Sequence, residues 1–104
     1  MKIIRQKEAK PDKNFKTPEP REYYRHNDFE FIITYLPPSF TQEWHTHQKI
    51  TEAIYVISGE IVVKTEKENT ETLSEGDLVI FEPKETHTIC NNSLNEAKIL
   101  TLKK

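Results

Sequence analysis

Residues 44–60 read WHTHQKITEAIYVISGE. Two of the chain's 4 histidines, His45 and His47, stand one residue apart here, just ahead of a hydrophobic run. Side chains on an extended strand alternate faces, so this spacing points both imidazoles to the same side. Glu52 follows five residues after His47, room for a short turn and the opening of the next strand. The run 52–58, EAIYVIS, is β-branched and aromatic and stops at Gly59, so it reads as a strand apolar on both faces. A strand greasy on both sides is covered on both sides. One face is expected to line a barrel interior, the other to pack on a second sheet or a second subunit.

Similar runs flank this segment. FEFIITYL (29–36) ends at Pro37-Pro38, and EIVVKTE (60–66) and TETL (70–73) flank a polar tip and read as a hairpin. DLVIFE (77–82) follows Gly76 and stops at Pro83, THTIC (86–90) runs into Asn91-Asn92-Ser93, and AKILTL (97–102) closes the series. No stretch of ten or more residues carries helical apolar spacing. Many short strands at close spacing predict an all-β sandwich or barrel. Gly59 and Gly76, the chain's 2 glycines, fall where tight turns want positive φ.

A fourth candidate donor, His87, lies near the start of a later strand. Three imidazoles and a carboxylate form a nitrogen/oxygen set suited to a divalent transition metal: iron, manganese, zinc, nickel or copper. The His-x-His pair alone does not separate a metal site from a surface strand that happens to carry histidine. His26 has no partner at useful spacing and reads as a surface residue. Cys90 has no base or oxyanion arrangement around it in the sequence and reads as packing. Trp44, by alternation, faces away from the two histidines. Phe31, Ile33, Tyr35, Phe40, Gln42 and Glu43 are candidates for a cavity wall, and Glu43 is the one candidate acid or base beyond the donors.

The bulk numbers bound the rest. The 104 residues suit one small domain, and no apolar stretch approaches the roughly 20 residues that span a bilayer. The first residues carry charge without an apolar core, so no secretory signal is read. A single cysteine makes no intrachain disulfide and points to a reducing cytoplasm. Residues 1–25 hold eight Lys/Arg against four Asp/Glu, a balance of +4, while the remainder balances at −6. The basic segment is dispersed and broken by prolines at 11, 18 and 20, so it reads as a solvated leader rather than a nucleic-acid arm. The expected division is an irregular leader over 1–25, with Ile3 and Ile4 available for a short edge strand, and a barrel over 26–104.

The spacing of the donors and glycines resembles the two motifs of the cupin superfamily. His45, His47, Glu52 and Gly59 fall at each of the first motif's positions, though its usual leading glycine is Ser39 here. Gly76, His87 and Asn91 match the second. There the usual proline is Glu82, with Pro83 one place later, and the usual glycine is Lys84. That last change suggests a turn without positive φ. The resemblance spans about 28–102 and implies a double-stranded β-helix (jelly-roll) barrel. Within it His45, His47, Glu52 and His87 would be metal ligands and Asn91 a structural residue. It also implies a small-molecule ligand or substrate, a homodimer, and either an enzyme (dioxygenase, isomerase, decarboxylase or lyase) or a non-catalytic binding or sensor module. A storage protein with a vestigial site is the third reading, disfavoured by four intact donor positions.

Overall fold

The computed structural model describes residues 1–9, 21–67 and 69–104. Eight strands follow a short 3-10 turn at Gln6–Glu8. They are β1 (Arg21–His26), β2 (Phe29–Leu36), β3 (Glu52–Ser58), β4 (Glu60–Thr65), β5 (Thr70–Ser74), β6 (Leu78–Phe81), β7 (His87–Cys90) and β8 (Ala97–Lys103). They form two antiparallel sheets, one ordered β1-β2-β8-β3-β6 and the other β5-β4-β7. The fold is the all-β double-stranded β-helix expected from the sequence. No helix among the described residues is long and apolar enough to cross a membrane.

The core lies between the sheets. Leu36, Ile54, Val56 and Ile99 from the larger sheet pack with Ile61, Val63 and Ile89 from the smaller. β3, β4 and β8 bury alternate residues, as strand geometry requires, whereas β7 is buried along its whole length. In β3, Glu52, Ile54 and Val56 point in, and Tyr55 between them is exposed.

Gly59 is not a hairpin turn. It joins β3 to β4, which belong to different sheets, so it is a corner. Its φ is +84°, and a Cβ there would stand 2.8 Å from Ala97 Cα. Both the conformation and the close approach exclude a side chain. The expected β4–β5 hairpin is present, with Glu60 opposite Ser74 and Lys64 opposite Thr70.

Three expectations are corrected. Ile3 and Ile4 form no strand; the N-terminal edge strand is β1, which crosses residue 25 and pairs in register with β2 from Arg21↔Thr34 to His26↔Phe29. The proline-punctuated stretch 11–20 lies outside the described residues. In β2 the inward residues are Ile32, Thr34 and Leu36, not Phe31, Ile33 and Tyr35. Phe31 is 40% exposed, and Tyr35 donates a 2.9 Å hydrogen bond to Glu22 on β1. Lastly, Lys84 has φ +70° and Ser39 has φ +66°. Side chains occupy both places where the cupin motifs carry glycine, yet the backbone keeps the left-handed conformation. At residue 84 a hydrogen bond accompanies it: Lys84 N–H donates to His47 C=O at 2.7 Å, which ties this turn to the donor loop.

Candidate metal centre

The four donors arrive from two parts of the chain. Residues 42–51 do not form a continuous strand. His45 instead makes an isolated antiparallel bridge to His87, each N–H bonded to the other's C=O at 3.1 and 3.0 Å. The expectation of two histidines on one regular strand is therefore corrected, although the convergence survives. His47 lies past the bridge where the loop bends, and Glu52 and His87 open β3 and β7.

One ligand atom from each of His45, His47, Glu52 and His87 lies within 4.8 Å of all the others. His47 Nε2 is 3.1 Å from Glu52 Oε2, His87 Nε2 is 3.1 Å from Glu52 Oε1, and His45 Nε2 is 4.0 Å from Glu52 Oε1. His45 Nδ1–H donates to Glu43 C=O at 3.1 Å and His87 Nδ1–H to Glu85 C=O at 2.9 Å. These carbonyls occupy the outer ring nitrogens and aim each Nε2 at the centre, the usual way of orienting a ligating histidine. The Phe81 ring stacks on His87 at 3.8 Å and 4°, fixing the third imidazole. Glu52 and His87 are buried, 4% and 1% exposed.

The electrostatics follow from burial and pairing. Burial pushes Glu52 toward protonation, but the hydrogen bond from His87, with the charges of Lys103, His87 and His47, outweighs it and holds the carboxyl down at about 2. Burial, with the neighbouring charges of His87 and His47, lowers His45 despite the acceptor at Glu43, which favours the neutral, ligating form. At His87 burial acts downward, yet acceptors on both ring nitrogens raise it. A bound cation would replace the Nε2 proton of that ring. Three nitrogens and one anionic oxygen, oriented and partly desolvated, fit a borderline divalent ion.

The centre opens on a cavity of about 680 Å³ between the sheets. Ile32, Leu36, Ile54, Ile89 and Ile99 form apolar walls, and Thr34, Thr101, Gln42 and Glu43 add polar points. Of the sequence candidates, Phe40, Gln42 and Glu43 do line it. Trp44 is 51% exposed and does not. Cys90 is buried. Asn91 is fully buried: its Nδ2 donates to Leu36 and Asn95 carbonyls at 3.0 and 2.9 Å, and its Oδ1 accepts from Ser93 N–H and Oγ–H. It pins the loops behind the cavity and takes no part in the donor set.

Among the cavity residues that the sequence did not single out are two cations: Arg21 at the start of β1 and Lys103 at the end of β8. Lys103 Nζ is 3.7 Å from Glu52 Oε2. A signal existed for Lys103. With Ile99 inward, alternation places Thr101 and Lys103 inward too, and polar residues in the inner series of a barrel strand mark a cavity wall rather than packed core.

Comparison with known proteins agrees with this geometry. Residues 31–103 match the family model described as "Cupin domain", and the chain belongs to that family. Solved structures with the same fold include a predicted oxalate decarboxylase from Thermotoga maritima, 20% identical, with TM-score 0.81 over 98% of this chain and 97% of that one. Another is an uncharacterized conserved protein with a double-stranded β-helix domain from Klebsiella pneumoniae, at 20% identity and TM-score 0.77, covering 99% and 89%. KdgF from Halomonas sp. is 19% identical with TM-score 0.73, covering 80% and 74%. At these identities the likeness is one of fold. No curated protein matches the chain.

Proposed function

We propose that this protein is a metal-dependent cupin that binds a small organic molecule in its barrel and acts on it chemically. The observation that carries the reading is the donor set. Three imidazoles and a carboxylate, 42 positions apart at the extremes, meet within 4.8 Å of one another at the wall of an apolar cavity. Packing alone gives no reason for that convergence, and burying such groups unpaired is costly. A divalent ion held by His45, His47, Glu52 and His87 would supply a Lewis acid to polarise a carbonyl, activate water or bind dioxygen. The protein's own share is orientation and dryness. Glu43 and Glu85 carbonyls hold two rings, Phe81 buttresses one, and the isoleucine walls exclude water. Dioxygenase, isomerase, decarboxylase and lyase chemistry are all open to such a site.

The test is metal analysis of protein purified without chelator, followed by assays of oxygen uptake and substrate conversion with iron(II) and small enols, phenols or thiols. Metal together with turnover supports the enzyme. Metal without turnover, with ligand-dependent thermal stabilisation, favours a non-catalytic binding or sensor module. No tightly held metal overturns both. Affinity order favours copper and zinc for these donors, so each ion is tested for activity as well as for occupancy.

The assembly we infer is a homodimer. On the outer face of the larger sheet, Tyr55 stands opposite Leu78 and Ala53 opposite Ile80, with Tyr55, Leu78 and Ile80 41%, 55% and 53% exposed. Phe29 and Phe31 add two further exposed rings on β2. Contiguous apolar surface of this kind marks an association site. The buried single thiol, Cys90, suits a reducing cytoplasm.

A further inference from the structure

Among the described residues Lys103 is the one lysine that lines the cavity, and it stands beside a donor to the metal. It is the last residue of β8, directly opposite Glu52 on β3 and Glu30 on β2, and its side chain is 17% exposed. Its ammonium lies 3.7 Å from Glu52 Oε2. The second cation on the wall is Arg21, which contacts Tyr23 Oη at 3.5 Å. The acids there, among the described residues, are Glu52 and the exposed Glu43.

The charge balance of this cavity depends on the ion. Without it, Glu52 answers Lys103. Once a divalent cation takes up the Glu52 charge, the cavity holds more positive than negative charge against apolar walls, where electrostatic interactions are strong. An ammonium in that position has lost its partner at Glu52, while Glu30 across the strand is engaged by Arg25, and it needs an anion.

We propose that the ligand of this site is a small organic carboxylate, its head group shared between the metal and Lys103. The inference rests on the metal-dependent reading above and adds the substrate class. A carboxylate has two oxygens in one plane, enough for one coordination position and one neighbouring ammonium. A phosphate carries a third strong acceptor and more charge, and would call for additional donors beside Lys103. The isoleucines beyond the centre suit a short carbon skeleton behind the head group.

The test is calorimetric titration of the manganese-loaded protein with malonate, with malonamide as its uncharged analogue, and with inorganic phosphate. Malonate is expected to bind at least tenfold more tightly than malonamide, and more tightly than phosphate. Lys103→Met should hold as much manganese as the unsubstituted protein and bind malonate at least tenfold more weakly. Lys103→Arg should recover part of that loss. Equal malonate binding by Lys103→Met, equal binding of malonamide, or a preference for phosphate would each overturn the carboxylate assignment while leaving the metal reading intact. Loss of manganese from Lys103→Met would also overturn it, making Lys103 a support of the metal site. Failure of the unsubstituted protein to hold manganese or any other divalent ion would sink the metal-dependent reading itself.

Discussion

At the scale of single residues, the donor set and the turns that carry it make separable predictions. His47 is half-buried, on a loop, and outside the core cluster. His47→Ala should therefore lower metal retention after dialysis by at least tenfold and leave the β circular-dichroism spectrum unchanged; loss of that spectrum would make the residue structural. Lys84 and Ser39 hold left-handed backbone with a Cβ present, which costs about 1–2 kcal/mol relative to glycine before glycine's greater chain entropy is counted. Lys84→Gly should raise stability by about 0.5–1 kcal/mol, measured by urea unfolding. A loss would show that the lysine side chain contributes more than its backbone strain costs. The residue-84 turn is also where the sequence misled. A lysine where the motif carries glycine points to a turn without positive φ, whereas the backbone holds φ +70° with its N–H bonded to His47 C=O.

At the scale of elements, much of the fold was legible because breakers bound the strands. Pro37-Pro38 ends β2 and Gly59 ends β3, and both strands were read to the residue. β1 instead falls across the expected boundary at residue 25, since Arg21-Glu22 at its start is charged and its pairing with β2 is not local information. The phase of β2 was not legible because its two faces are both apolar, and the aromatic face turned out to be the outer one. Asn91 and Gly59 hold these elements in place. Asn91 makes four side-chain hydrogen bonds at zero exposure, so Asn91→Ala should cost about 2–4 kcal/mol in denaturant unfolding, through carbonyls and N–H groups left without partners. Gly59→Ala should be worse than Gly76→Ala. Both residues have positive φ, but only at Gly59 would the new methyl meet backbone, whereas at Gly76 it meets nothing within 4 Å. Equal losses in thermal unfolding would mean that the corner at Gly59 yields.

At the scale of the whole molecule, the site was legible as four residues but not as a chemical environment. The spacing of His45, His47, Glu52 and His87 is written in the chain; the nearness of Lys103 and Phe81 to them is set by strand register across the sheet. The outer face of the larger sheet carries the prediction that belongs here. Sedimentation should show a dimer, and Leu78→Glu with Ile80→Glu should give a monomer that still holds its metal, because both side chains point away from the cavity. A monomeric unsubstituted protein would leave that apolar face unexplained.

The paired backbone bonds between His45 and His87 bear on how the protein lives and dies in a cell. They fasten the loop at 42–51 to β7, and a captured ion would rivet the same two segments through their side chains. Demetallated protein then keeps its barrel but has lost the rivet. Limited proteolysis of chelated protein is then expected to cut first between Gln42 and Thr51, and cutting within the strands first would show that the ion does not fasten this loop.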